Sequence, residues 1–239
     1  MTFAELQAVI PASPATIRRD LAELEDSGEL IRVHGGVMDT RYVRSEITFD
    51  ERMVRNIPAK RAIAAVAATL VPSGASVLID AGTTCLEAGK ALFGRKDVRI
   101  ITHSVTLVEA ARQGEADLLC VGGELRKISG ALTGGQALGI LATGRADLAF
   151  IGASGLDARE GCSNTQLFEA EMTKAILSRA KRKVLLADST KWERPSIIRF
   201  AHWNEIDDWI TDKPRTAKEA RKLRSFGLNL HVARRGRQA

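Results

Sequence analysis

Val77-Leu78-Ile79-Asp80-Ala81-Gly82-Thr83-Thr84 runs from an apolar stretch through a glycine turn into two hydroxyls, and a helix-like segment, Cys85 to Phe93, follows. A strand that turns on glycine into a helix start brings free N–H groups and the positive end of the helix dipole to one point. The loop Asp80–Thr84 is therefore expected to hold the phosphate of a small phosphorylated ligand. Thr and Gly also cap helices for structural reasons alone, so the rest of the chain decides the matter.

Outward from this loop, apolar runs alternate with helical patterns. The pattern predicts strands at Val77–Asp80, Arg99–Thr102, Asp117–Val121, Asp147–Gly152, Lys183–Ala187, Asp208–Thr211 and Leu228–Val232. Helices are expected over 59–70, 84–93, 104–113, 135–143, 168–181 and 216–225. Such alternation argues for an α/β domain, a mostly parallel, Rossmann-like sheet with helices on both faces. Ligands of these sheets bind beyond the carboxyl ends of the strands.

The residues expected there share one chemistry. Asp80, Gly82, Thr83 and Thr84 follow the first strand, Thr102, His103 and Ser104 the second, and Gly122 and Gly123 the third. Ser154, Gly155, Leu156 and Asp157 follow the fourth, and Asp188, Ser189 and Lys191 the fifth. Each small polar residue alone is an ordinary cap or turn. Five strand ends of the same kind suit a polyol phosphate, with hydroxyls and amides on the phosphate and carboxylates on sugar hydroxyls.

Composition sets the bounds. The 239 residues are 45% hydrophobic and 27% charged, ordinary for a chain with a buried core. No apolar run approaches the roughly 18–20 residues that span a bilayer, and Met1–Ile10 lacks the basic start of a signal peptide. A cytoplasmic protein is expected. Cys85, Cys120 and Cys162 are far apart, so neither a metal site nor a disulfide is expected. The absence of Gly-x-x-x-x-Gly-Lys, Gly-x-Gly-x-x-Gly and His-Glu-x-x-His leaves nucleotide and zinc-protease chemistry without support, and no cofactor is expected. The net charge of +6 suggests nucleic acid, but residues 1–40 are net −4, 41–61 net +3 and 215–239 net +7, so net charge does not locate a DNA-binding surface.

The first forty residues read as helix, turn, helix and a short hairpin. Thr2–Glu5 has the form of a capping box, and Pro11-Ala12-Ser13-Pro14 interrupts the helix that follows. Ser13 can cap the next helix with Pro14 at its first position, and Ile17, Leu21 and Leu24 form its apolar stripe. Glu29–Val37 alternates and turns on Gly35-Gly36, like the hairpin of a wing.

Ser13-Pro14-Ala15-Thr16-Ile17-Arg18-Arg19-Asp20-Leu21, followed by Arg32-Val33-His34-Gly35-Gly36, resembles the winged helix-turn-helix of DeoR-family transcriptional regulators. The resemblance implies that the helix at Ser13 enters the DNA major groove, with Ser13, Thr16, Arg18 and Arg19 as contacts and Arg32 and His34 presented by the wing. Asp20 would orient an arginine, since a carboxylate is repelled by phosphate. Residues 57–233 resemble the sugar-phosphate-sensing domain of the same family, itself similar to sugar-phosphate isomerases, through Asp80–Thr84, Gly122-Gly123, Phe150–Asp157 and Ala187–Lys191. The expected layout is an incomplete winged helix-turn-helix over 1–40, a linker over 41–57, an effector domain over 58–233 and a basic tail over 234–239. Members of the family carry a further basic helix ahead of the one at Thr2, which this chain starts without. A start codon placed too far downstream is the expected reason, with a truncated product or lost DNA binding as the alternatives.

A second class is an isomerase. In ribose-phosphate isomerases the loop matching 152–157 carries an Asp-Glu pair with another Asp following, whereas here Ser154 and Gly155 replace the pair and only Asp157 remains. Aldose–ketose isomerisation needs a base beside the reacting carbon, so no catalytic residue is assigned. Glu169 and Glu171 are read as dipole-facing charges, and Lys174 joins the effector contacts. The expectation is a repressor of a sugar or polyol catabolic operon, homo-oligomeric, binding operator DNA with an affinity set by a phosphorylated sugar. Effector contacts are expected at Asp80, Gly82, Thr83, Thr84, Thr102, Ser104, Gly122, Gly123, Ser154, Asp157, Lys174 and Lys191.

Overall fold

The computed structural model describes residues 6–8, 10–27, 30–33, 36–39 and 48–233. The chain divides into two compact units, Met1–Ile47 and Thr48–Ala239.

In the first unit residues 6–8 are helical, and helix α1 spans Pro14–Asp26. Ser13 caps α1: its side chain accepts from the Thr16 N–H at 3.1 Å, and Pro14 sits where a missing N–H costs nothing. Of the expected apolar stripe, Ile17 is buried, Leu21 half-buried and Leu24 exposed. Strands β1 (Leu30–Val33) and β2 (Gly36–Asp39) pair antiparallel from Leu30↔Asp39 to Val33↔Gly36, which is the expected wing hairpin.

The second unit opens on a short helix, α2 (Phe49–Met53), within the stretch read as linker. Its signal is local: Thr48 and Glu51 form a reciprocal capping box. Helix α3 (Ile57–Thr69) leads into β3 (Ser76–Ile79), followed by α4 (Thr83–Lys90), β4 (Arg99–Thr102), α5 (Val105–Ala110) and β5 (Asp117–Cys120). A hairpin of β6 (Glu124–Arg126) and β7 (Ala131–Thr133) precedes α6 (Gly135–Thr143) and β8 (Ala146–Ile151). Strands β9 (Gly155–Asp157) and β10 (Gly161–Asn164) precede α7 (Leu167–Arg179), which runs into β11 (Ala180–Leu186). Then come β12 (Ile198–Ala201), β13 (Asp208–Thr211), α8 (Ala217–Ser225) and β14 (Asn229–Val232).

Seven of these strands form one parallel sheet in the order β14-β13-β11-β8-β3-β4-β5. They are the seven strands expected from the sequence, to within one residue at their ends except that β11 begins three residues earlier, at Ala180. Alternation along each strand divides the core. Val77, Ile79, Leu148, Phe150, Val184 and Leu186 pack with α3, α4 and α5. Leu78, Ala149, Ile151 and Leu185 pack with α6, α7 and α8 on the other face. The hairpin β6–β7 and the antiparallel sheet β12-β10-β9 were not expected, because three- and four-residue strands carry too few residues to establish a period.

From β3 the chain builds outward to β4 and β5, then returns to lay β8 on the other side of β3. The carboxyl ends of β3 and β8 are thus the point where strand order reverses, the usual ligand crevice of such sheets. Asp80 lies at this point.

Candidate functional site

Asp80 is 6% exposed, and its carboxylate is met from four directions. Oδ1 accepts from the Ala81 N–H at 2.9 Å and lies 2.9 Å from Nε2 of His103. Oδ2 accepts from the Gly152 N–H at 3.4 Å and lies 3.2 Å from Thr173 Oγ1. A carboxylate has about four lone-pair sites, so Asp80 is satisfied within the protein and draws the ends of β3, β4 and β8 and helix α7 together. Its role is internal, where a sugar-hydroxyl contact had been expected.

His103 is 2% exposed, with Nδ1 2.9 Å from the Leu132 carbonyl of β7. A carbonyl only accepts, so Nδ1 carries a hydrogen. Nε2 faces two groups, Asp80 Oδ1 at 2.9 Å and the Ala81 nitrogen at 3.1 Å, whose N–H it can accept. The Leu132 N–H also donates to the His103 carbonyl at 2.8 Å, so the unexpected hairpin clamps this histidine. Thr173 has two acceptors for one hydrogen, Asp80 and the Glu169 carbonyl at 2.9 Å, and it accepts from Asn164 Nδ2 at 3.3 Å. Asn164 Oδ1 accepts from the Ser154 N–H at 3.2 Å, which carries the network to the end of β8.

The remaining predicted residues divide by what they touch. Gly82 precedes α4 with no side-chain cap; Thr83 is buried there and Thr84 half-buried. Thr102 Oγ1 donates to the Ile79 carbonyl at 2.7 Å, and Ser104 caps α5 through the Leu107 N–H at 3.2 Å. Gly123 (φ 140°) faces the Thr133 carbonyl, which a Cβ would approach to 2.5 Å, whereas Gly122 meets only ordinary contact. Lys191 ends a 3-10 turn capped by Asp188, whose Oδ1 accepts from Thr190 N at 2.9 Å.

Two predicted contacts lie elsewhere. Asp157 turns into its own hairpin, accepting from the N–H groups of Glu160 at 2.8 Å and Arg159 at 2.7 Å, which hold its carboxyl below the usual range. Lys174 is exposed in a groove of about 440 Å³ with Lys183, Arg199 and His202, because the turn of α7 points it away from Thr173. Residues the pattern missed include Thr173, Asn164 and Lys60. The first two read as ordinary helix and strand residues, with nothing in the sequence to mark the partner of Thr173 93 positions away. Lys60 sits near the start of α3, 5% exposed, its Nζ donating to the Arg52 carbonyl. Burial lowers its amine to about 8; Asp188 and Glu87 oppose the shift, while Lys191 and Arg52 add to it.

Gly155 lies against the backbone of residues 194–196. A Cβ there would lie 2.0 Å from the Arg194 carbonyl oxygen and 2.8 Å from the Ser196 nitrogen. Backbone therefore occupies the space that a carboxylate at position 155 would need.

In the first unit Ser13 and Thr16 meet at 2.8 Å between hydroxyls, and Arg18 and Arg19 are exposed on α1. Arg19 lies 3.7 Å from Asp20, an exposed pair of little energetic weight. Arg32 belongs to β1; its side chain, His34 and the tail 234–239 lie outside the described residues.

Residues 1–40 match the family model of the DeoR-like helix-turn-helix domain, and residues 55–213 that of the DeoR C terminal sensor domain. The HTH-type transcriptional regulator GlpR of Haloferax volcanii is 35% identical over 218 residues, 91% of this chain and 86% of that protein. GolR of Listeria innocua is 31% identical, covering 98% and 92%. The glycerol-3-phosphate regulon repressor of Haemophilus influenzae is 31% identical, covering 87% and 81%. Among solved structures, a D-ribose-5-phosphate isomerase in complex with phospho-erythronic acid has a TM-score of 0.41 at 18% identity, covering 56% and 52%. The delta subunit of eIF2B from Chaetomium thermophilum has a TM-score of 0.48 at 15% identity, covering 67% and 59%.

Proposed function

The chain belongs to the DeoR family of transcriptional regulators, and from that premise we propose a repressor of a sugar or polyol catabolic operon whose operator affinity is set by a phosphorylated sugar. The observation that carries the ligand reading is the convergence of Asp80, His103, Gly152 and Thr173 where strand order reverses, beside the uncapped start of α4. Phosphate is assigned to the amides at Gly82–Thr84 and to Lys191, with Thr102, Ser104, Gly122, Gly123 and Ser154 shaping the wall. Asp80 orders these ends from behind.

On the DNA side, Ser13, Thr16, Arg18 and Arg19 are assigned to the major groove and its phosphates, and Arg32 and His34 to the wing. A homo-oligomer fits this reading, since one winged helix covers a short half-site and a symmetric pair doubles it. No helix among the described residues is long and apolar enough to cross a membrane, in keeping with a place in the cytoplasm beside DNA.

We read the domain as a sensor and not as an isomerase. Supporting this, Asp157 is spent on its own turn and position 155 has no room for a side chain. The test is operator binding by fluorescence anisotropy, using DNA upstream of the chain's own gene and its neighbours, across a panel of pentose, hexose and polyol phosphates. One compound should shift the midpoint and emerge unchanged. Turnover of a panel member, or no DNA bound in any condition, would overturn the reading.

A further inference from the structure

Lys183 shares a face of β11 with Leu185, which packs into the core beneath α6, α7 and α8. It is half-buried there, and its ammonium makes no hydrogen bond or ion pair among the described residues. An ammonium has three donors, so a lysine on a packed sheet face without an acceptor is unfavourably placed. The side chain opens into the groove of about 440 Å³ between α7 and β12, where Lys174, Arg199 and His202 join it. Lys174, Leu177 and Ser178 stand at i, i+3 and i+4, so one face of α7 lines the groove. Lys174 too is without a hydrogen bond or ion pair among the described residues. Leu177 and Phe200, both buried, give the groove an apolar floor. The carboxylates nearby already serve other groups. Glu205 accepts from the His202 N–H at 2.8 Å, Asp207 accepts from the Lys183 N–H at 2.7 Å, and Glu160 pairs with Arg199.

We propose that this groove is a second ligand site, separate from the strand ends, and that it takes a small polyanion whose charged groups are phosphates or carboxylates. Its volume is that of a small-molecule pocket. Lys174 reaches the ligand from the helix and Lys183 from the sheet. Arg199 offers one anionic group a planar fork, and the apolar floor takes the carbon body. The two sites share structure. Thr173, next to Lys174 on α7, lies 3.2 Å from Asp80, and β10, which pairs with β12, holds Asn164 against Thr173. A ligand in the groove therefore bears on the helix and the strand that order the Asp80 network.

The test titrates the full chain by calorimetry with citrate, a carboxylate probe, and with pyrophosphate, a phosphate probe. Salt at about 0.15 M screens diffuse attraction. At least one probe should bind with a Kd below about 1 mM, and which one binds assigns the anionic group. Lys174→Met and Lys183→Met keep most of the side-chain volume, should melt like the wild type, and should each weaken that binding about 10-fold. Lys181→Met removes the same charge from the same strand outside the groove and should leave the binding unchanged, as should Lys191→Met at the strand ends. The probe should slow amide hydrogen exchange at residues 174–178 and 198–205. Failure of both probes, or wild-type affinity in both groove variants, would overturn the site. An equal loss in Lys181→Met would reduce it to diffuse charge, and a loss confined to Lys191→Met would move the probe to the strand ends; either result overturns the proposal.

Discussion

Asp80 Oδ1 and His103 Nε2 stand 2.9 Å apart, each side chain closed to solvent, at the ends of two adjacent strands. The imidazole is held from behind by the Leu132 carbonyl and the carboxylate by Gly152 and Thr173. Removing either member leaves the other buried without its partner. Asp80→Ala and His103→Ala should each destabilise the chain by about 3–5 kcal/mol, and the double variant by less than the sum. Urea denaturation of the four proteins measures this cycle; strict additivity would mean the two do not act as a pair.

Gly155→Ala should destabilise by about 3 kcal/mol or more, because the methyl meets backbone atoms of 194–196 that cannot rotate away. A thermal melt reads the change. Gly155→Glu should be no better folded and should gain no turnover of sugar phosphates.

Arg18→Ala and Arg19→Ala should each weaken operator binding by about 1–3 kcal/mol while effector binding stays as in the wild type. Gel shifts across a salt series separate the two kinds of contact. A loss uniform over operator variants marks a phosphate contact, and a loss confined to one base pair marks a base contact. Unchanged shifts for both variants would remove α1 from the groove.

The three tryptophans offer a probe of the proposed pocket. Trp192, Trp203 and Trp209 lie with centroids 5.3–5.9 Å apart, the Trp192–Trp209 pair stacked and the other two tilted, and Trp192 directly follows Lys191. Nε1 of Trp203 donates to the Asp157 carbonyl and that of Trp209 to the Ala187 carbonyl. Effector binding should therefore change intrinsic fluorescence, and Trp192→Phe should remove most of the change. A full response in that variant would place the ligand away from the end of β11.

At the opposite end of the sheet, Asp208 is fully buried and receives Arg182 through two hydrogen bonds of 2.7 and 2.9 Å and His231 at 2.7 Å. Burial raises its carboxyl, but these partners outweigh burial and hold it below the usual carboxylate value. Its folded form thus binds the proton less readily than its unfolded form. The stability it contributes is present above about pH 4 and lost as the pH falls through the lower, folded value. Asp208→Asn should cost about 3 kcal/mol at neutral pH, the low end for a buried pair because Arg182 is 41% exposed. The variant's stability should also fall less steeply in acid. Parallel slopes of wild type and variant below about pH 4 would contradict this.

Much of the architecture was legible in the chain because it rests on periodicity. Apolar runs alternating with helical patterns mark all seven sheet strands and the six helices that cover them. Ser13-Pro14 marks the start of α1 because capping is a matter of neighbours in sequence. The hairpin over His103 and the sheet β12-β10-β9 escaped, being too short to repeat. Lys60 escaped for another reason. A lysine in the first turn of an amphipathic helix reads as solvent-facing, and burial against α2 and Asp188 follows only from how the layers stack.

Sequence by itself determined the succession of the seven sheet strands and their covering helices, the parallel sheet and the loop Asp80–Thr84 at the end of β3, because local propensity and helical period are written between near neighbours. Tertiary structure decided what that loop does. It spent Asp80 on His103, Gly152 and Thr173, turned Asp157 and Lys174 away, and closed position 155 with backbone. The Asp80 pairings join residues 23 to 93 positions apart, and only packing brings such groups within hydrogen-bond reach.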